Sequence, residues 1–182
     1  MLRYYISDGT ATAEAVRVKI QQAVDAGVEL IQIRQKDWSA RRLLALIVSI
    51  DRKASKVLVN ERMDIALAAG ADGVHLPAHS PVVSRYRTIA PPGFLIAVSC
   101  HSVEEVLMAE REGADFAVLG PIFATPSKLK YGAPLGLRVL HEAAHCSALP
   151  VFALGGVNAA NQELCTRAGA RGIAGIRLFQ NE

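Results

Sequence analysis

Ala69-Gly70-Ala71-Asp72-Gly73-Val74-His75-Leu76 is the stretch on which the fold turns. A helical pattern closes at Gly70, a polar step follows, and a short apolar run begins. The glycine suits the left-handed position just past a helix C-terminus, where a Cβ is strained. The run after it is apolar on both faces, as a buried parallel strand is. The same grammar recurs in Ala26-Gly27-Val28-Glu29-Leu30-Ile31-Gln32-Ile33, in Glu112-Gly113-Ala114-Asp115-Phe116-Ala117-Val118-Leu119 and in Ala168-Gly169-Ala170-Arg171-Gly172-Ile173-Ala174-Gly175. Gly27, Gly70 and Gly113 are evenly spaced, and Gly169 follows after a longer interval. Between them lie Val57-Leu58-Val59-Asn60, Phe94-Leu95-Ile96-Ala97-Val98-Ser99 and Pro150-Val151-Phe152-Ala153-Leu154, and Tyr4-Tyr5-Ile6-Ser7 opens the chain. That makes eight strands.

Helical patterns at residues 12–26, 39–52, 102–112 and 161–168 separate these strands. Strict strand–helix alternation without a linker or a change of composition predicts one α/β domain over residues 1–182, a (β/α)8 TIM barrel. An open doubly wound sheet is the competitor, but Asp8-Gly9-Thr10-Ala11 after the first strand lacks G-x-G-x-x-G. At 182 residues the chain is shorter than the ~200 usual for a barrel, and it stops after strand eight. The expectation is a barrel without its closing C-terminal helix, whose apolar flank is covered by a second copy, hence a homo-oligomer.

With 51% hydrophobic and 20% charged residues, disordered and fibrous classes are excluded. The net charge of +3 is spread along the chain, so no nucleic-acid surface is expected, while a local phosphate site stays open. Cys100, Cys146 and Cys165 are odd in number and without a C-x-x-C, a usage that fits a reducing compartment. No signal layout opens the chain and no apolar run reaches the ~18 residues of a membrane span. A cytoplasmic protein with no membrane partner is the expectation.

Barrels do their chemistry where strands end. Gln32, Arg34 and Lys36 alternate at the end of strand two and share one direction. Two cations beside an amide suit a diphosphate, since a narrow barrel interior cannot hide them. Strand three ends Asn60-Glu61-Arg62, strand four carries His75 and runs into Pro77-Ala78-His79-Ser80, and strand five ends Ser99-Cys100-His101-Ser102. Ser102 reads as a helix N-cap with Glu105 at capping-box spacing, whereas Ser99 points into the mouth. Strand six passes into a long loop from Gly120 to Gly132 holding Thr125 and Lys128, of a kind suited to a lid. Strand seven ends Gly155-Gly156-Val157-Asn158, and Arg177 follows strand eight. A glycine pair and an arginine in these two loops make a monophosphate pocket.

His141-Glu142-Ala143-Ala144-His145 matches the H-E-x-x-H zinc pattern. Its helix belongs to the barrel exterior, away from the mouth, so zinc chemistry is not expected there. Isolated histidines in strands are usually satisfied core or rim residues, and cysteines without ligand spacing pack as small apolar groups.

Read together, the mouth residues resemble the thiamine-phosphate synthase family and its relative, the thiazole tautomerase. Gln32-Ile33-Arg34-Gln35-Lys36-Asp37 is similar to the family's Q-x-R-x-K-D, and residues 59–68 resemble V-N-D-R-x-D-x-A-L-A. Residues 70–76 match G-A-D-G-V-H-L, residues 120–128 resemble G-P-I-F-x-T-x-[ST]-K, and Gly155-Gly156-Val157 looks like the phosphate-binding G-G-[IV]. The resemblance spans nearly the whole chain and implies a transferase of thiamine biosynthesis. Its reaction joins hydroxymethylpyrimidine diphosphate to thiazole phosphate and releases pyrophosphate. It implies that Arg34, Lys36, Asn60 and Lys128 hold the diphosphate, with Arg34, Lys36 and Lys128 catalytic. Gln32, His75 and Ser99 would border the pyrimidine; Thr125, Gly156 and the strand-eight backbone would hold the thiazole phosphate.

The family binds Mg²⁺ through the aspartate of N-D-R and another in a G-Q-x-D turn. Here the first is Glu61, still an oxygen ligand, and the second position is Ser80, so the resemblance implies a weakened Mg²⁺ site. The turn is closer to the tautomerase branch, yet that branch's catalytic histidine on strand six corresponds to Pro121. Three readings follow: the synthase; a tautomerase with His75 or His79 as base; and a non-catalytic binder of thiamine-related phosphates.

Overall fold

A computed structural model describes residues 1–9, 12–125 and 133–179. Eight parallel strands close into a barrel in sequence order: β1 (Leu2–Ile6), β2 (Leu30–Ile33), β3 (Lys56–Asn60), β4 (Gly73–Leu76), β5 (Leu95–Cys100), β6 (Phe116–Leu119), β7 (Val151–Leu154) and β8 (Gly172–Gly175). Closure is made by β1 against β8, with Tyr4 beside Ala174 on one side and Leu30 on the other. The helices are α1 (Ala13–Asp25), α2 (Ala40–Ser49), α3 (Met63–Ala68), α4 (Val83–Arg87), α5 (Val103–Arg111), α6 (Gly136–Cys146) and α7 (Gln162–Arg167). The expected barrel is present; α1, α2, α5 and α7 fall on the helical patterns at 12–26, 39–52, 102–112 and 161–168, α6 carries the 141–145 helix, and α3 and α4 are added between β3 and β5.

Gly27, Gly70, Gly113 and Gly169 all have positive φ, as their place after a helix requires. The acid two residues after three of them has a structural task. Glu29, Asp72 and Asp115 accept from the backbone N–H groups of Arg3, Val57 and Ile96, at 3.0, 2.9 and 2.6 Å. Each also pairs with an arginine: Arg3, Arg52 and Arg87. The repeat thus satisfies strand N–H groups at the foot of the barrel, where no neighbouring strand carbonyl reaches them.

Side chains alternate between two cores. Tyr4, Ile6, Leu30, Leu58, Phe116, Val118 and Phe152 fill the barrel, with the Tyr4, Phe116 and Phe152 rings 4.9–6.1 Å apart. Gly172 makes room for them, because a Cβ there would overlap the Phe152 ring. Tyr5, Ile31, Val57, Val74, Ile96, Ala117, Val151 and Ile173 face outward into the helix layer. Ser39 and Ser102 cap α2 and α5, accepting from Arg42 and Glu105 backbone N–H groups. The Glu105 carboxylate reaches one residue further back than a capping box requires, accepting from His101 N at 2.6 Å.

Among the described residues no helix follows β8, and residues 176–179 form a turn. The flank is nevertheless covered within the chain. Tyr5 and Ile173, which face outward on β1 and β8, are each 1% exposed, and Leu178 and Phe179 pack against that core. The cysteines are free; burial pushes the Cys100 thiol up to about 12, so it packs as an inert apolar group. No helix among the described residues is long and apolar enough to cross a membrane.

Candidate active site

The C-terminal ends of the strands surround a cavity of about 870 Å³, at the upper end of the ligand-pocket range. Gln32, Arg34, Lys36, Asn60, Glu61, His75, Ser99, Thr125, Gly156 and Arg177 all line it, so residues from six strand ends and the loop after β6 meet in one space. Lys128 lies outside the described residues. Among charged side chains at the lining, Arg34, Lys36 and Arg177 face two carboxylates, Asp8 and Glu61. The excess of cations suits an anionic ligand.

Local structure explains each position. Arg34 leaves β2 with its backbone N–H donated to Ser7 Oγ at 2.8 Å, which ties the β2 end to the β1 end. Glu61 takes a left-handed backbone, φ +61°, and donates its N–H to the His75 carbonyl at 2.9 Å. Such a conformation in a non-glycine residue costs on the order of 1 kcal/mol and is held by surrounding structure. Gly156 has φ +67°, and a Cβ there would stand 2.7 Å from the Ala124 carbonyl oxygen and from Phe123 Cβ. Only glycine lets the loop after β6 lie against this turn.

Beneath the mouth a polar chain crosses the barrel. Gln32 Nε2 donates to Tyr4 Oη at 3.2 Å and lies 2.5 Å from His75 Nδ1, and Tyr4 Oη is 2.9 Å from the same nitrogen. His75 Nε2 is 2.8 Å from Ser99 Oγ. Burial, with the Arg34 charge added, pushes the His75 imidazole down to about 3, so it is neutral. Burial also drives the Tyr4 phenol far above its ordinary range, a shift the Gln32 bond reduces, so it stays protonated.

His75 therefore has both ring nitrogens engaged, which removes it as a free base for the tautomerase reading. His79 and His101 do line the cavity. The sequence reading assigned His101 no role, yet it continues the inward alternation of Ala97 and Ser99. Its Nδ1–H donates to the Gly120 carbonyl at 2.6 Å, beside a cis Gly120–Pro121 bond. Asp8 and Tyr4 went unassigned too. His141 and His145 sit on exposed positions of α6, with rings 3.9 Å apart and outside the cavity lining.

For Mg²⁺, the chain offers Glu61 and Asp8 at the cavity. Ser80 instead donates its hydroxyl to the Pro81 carbonyl at 3.2 Å. No cluster of three metal-ligating side chains occurs among the described residues. Glu61 gives one carboxylate at the cavity, which fits Mg²⁺, an ion that commonly takes one or two carboxylates and completes its shell with substrate phosphates and water.

Comparison with known proteins agrees with this geometry. The family described as thiamine monophosphate synthase matches residues 3–179. A putative thiamine-phosphate synthase 2 of Aquifex aeolicus is 39% identical over 180 residues, 97% of this chain and 96% of that protein. The thiamine-phosphate synthase of Methanoculleus marisnigri is 40% identical over 184 residues, covering 98% and 87%. Among solved structures, the thiamine phosphate pyrophosphorylase from Pyrococcus furiosus superposes with a TM-score of 0.83 at 30% identity, covering 96% and 85%. The chain belongs to the thiamine monophosphate synthase family.

Proposed function

We propose that the protein is a thiamine-phosphate synthase, transferring a pyrimidinylmethyl group from hydroxymethylpyrimidine diphosphate to the ring nitrogen of thiazole phosphate. The observation that carries this reading is the meeting of Arg34, Lys36, Asn60 and Arg177 with the Gly155-Gly156 turn around one cavity. A diphosphate and a monophosphate need two anion-holding groups in one space, and these residues make them at different strand ends.

In the proposed reaction the bond between the pyrimidinylmethyl carbon and the diphosphate oxygen breaks, and its electron pair leaves on pyrophosphate. The electron-rich pyrimidine carries the positive charge until the thiazole nitrogen supplies the new pair. No proton transfer is required. The chain's work is to neutralise charge gathering on the leaving group and to hold the two reactants in line. Arg34 and Lys36 donate to the diphosphate oxygens, Asn60 adds an amide, and Lys128 completes this set in the proposal. Gly156 N–H and Arg177 hold the thiazole phosphate beside Thr125. Glu61 would hold Mg²⁺, which would supply further charge neutralisation on the diphosphate. Self-association no longer follows from an open flank, since Tyr5 and Ile173 are covered within the chain, and light scattering at micromolar protein reads the oligomeric state.

Mixing protein, Mg²⁺ and both substrates tests the reading. Thiamine phosphate and pyrophosphate in equal amounts are the expected products. Tight binding of thiamine phosphate without turnover at any metal concentration would replace the enzyme with a binder.

A further inference from the structure

Tyr4, His75, Gln32 and Ser99 form one hydrogen-bonded chain, and the direction of its bonds sets what the mouth can read. Gln32 turns its amide nitrogen toward Tyr4 Oη and His75 Nδ1. Nδ1 then serves as acceptor, for the phenol O–H and for the amide. A neutral imidazole accepting at Nδ1 carries its proton on Nε2, so it donates to Ser99 Oγ. Ser99, having accepted, has its own O–H left for the cavity it lines. Gln32 lines the cavity as well, and with its N–H groups spent inward it offers its carbonyl oxygen.

We propose that Tyr4 and His75 are positioning residues that fix the Gln32–Ser99 pair as acceptor and donor, so that the mouth selects an amino group adjacent to a ring nitrogen. The amino group donates to Gln32 and the ring nitrogen accepts from Ser99, the edge of an aminopyrimidine. A pyrimidinone presents the reverse edge, a ring N–H beside a carbonyl, and sets its oxygen against the Gln32 carbonyl. Tyr4 can hold the polarity because it cannot turn: it is fully buried, with Phe116 and Phe152 edge-on to its ring at 5.5 and 6.1 Å. The inference rests on the synthase reading for the identity of the pyrimidine, but the polarity is a property of the free protein.

Two measurements test it separately from turnover. Long-range ¹⁵N–¹H spectra of ¹⁵N-histidine-labelled protein without ligand report the His75 tautomer; the Nε2–H form is expected, and the Nδ1–H form overturns the proposal. Calorimetry then compares hydroxymethylpyrimidine diphosphate with its 4-oxo analogue, expecting at least tenfold tighter binding of the amino compound, the worth of one mispaired buried hydrogen bond. Tyr4→Phe keeps the ring and removes the O–H. It should bring the two ligands together by about tenfold while leaving thiazole phosphate affinity unchanged. Unchanged discrimination in a folded Y4F protein would refute the role of Tyr4, and equal loss for both phosphorylated substrates would mark a merely structural effect and refute it too. Absence of thiamine phosphate formation with the discrimination intact would sink the synthase reading alone.

Discussion

Acidification from pH 7 to pH 5 should cost the protein about 2 kcal/mol of stability through His75 alone. The imidazole is 3% exposed, has both nitrogens engaged, and is pushed by burial down to about 3. In the unfolded chain it titrates at its ordinary 6.5. A folded-state value below the unfolded one means the unfolded state binds more protons as pH falls. The contribution is therefore fully present above pH 6.5 and is lost downward from there toward 3. Each unit of this window is worth 1.36 kcal/mol. Because the folded value lies far below pH 5, the loss at pH 5 is set by the unfolded imidazole, which has by then crossed about one and a half units. The surface carboxylates Glu14, Asp25 and Asp64, held low chiefly by hydrogen bonds from Arg17, Lys53 and Arg62, lose their contribution only below their unfolded values of 4.5 and 3.8. Urea denaturation at pH 7 and pH 5, on wild type and on His75→Gln, isolates the effect. Wild type should lose about 2 kcal/mol more than H75Q between the two pH values. Equal slopes in the two proteins would refute the reasoning.

Arg34→Ala should lower kcat/KM about a hundredfold, as loss of one donor to developing negative charge does, with the folded stability intact; steady-state kinetics with varied pyrimidine diphosphate checks it. Gly156→Ala combines a left-handed φ of +67° with a Cβ 2.7 Å from the Ala124 carbonyl oxygen, so about 3 kcal/mol of stability should go, along with thiazole phosphate affinity, as read by thermal denaturation and calorimetry. Asp115→Ala strands the Ile96 N–H and uncouples Arg87; a loss of about 1–3 kcal/mol is expected in denaturant melts, against no measurable change for Glu163→Ala in the exposed Arg167–Glu163 pair.

The barrel was legible because its punctuation is local. A glycine past a helix end needs positive φ whatever surrounds it, and Gly27, Gly70, Gly113 and Gly169 announce four strands that way. The cationic side of the mouth was legible for a similar reason, since Gln32, Arg34 and Lys36 share a direction through the two-residue period of a strand. The polar chain under it was not. Tyr4 and His75 are 71 residues apart, and each alone resembles a core residue. They meet only because closure brings β1 and β4, which are not neighbours, within hydrogen-bond reach across a narrow interior. The aspartates of the Gly-Ala-Asp repeats were read as polar punctuation, whereas Asp72 and Asp115 bond to strands earlier in the chain. The flank expected to stand open without a closing helix is covered, Tyr5 and Ile173 being each 1% exposed, a burial that no periodicity signals.

Diffraction from crystals soaked with Mg²⁺ and pyrophosphate tests the central claim most directly. The account places the diphosphate between Arg34, Lys36 and Asn60, with oxygens within about 3.2 Å of the Arg34 and Lys36 nitrogens and the metal on Glu61. Pyrophosphate bound elsewhere on the barrel, with Arg34 and Lys36 turned to solvent, would contradict it.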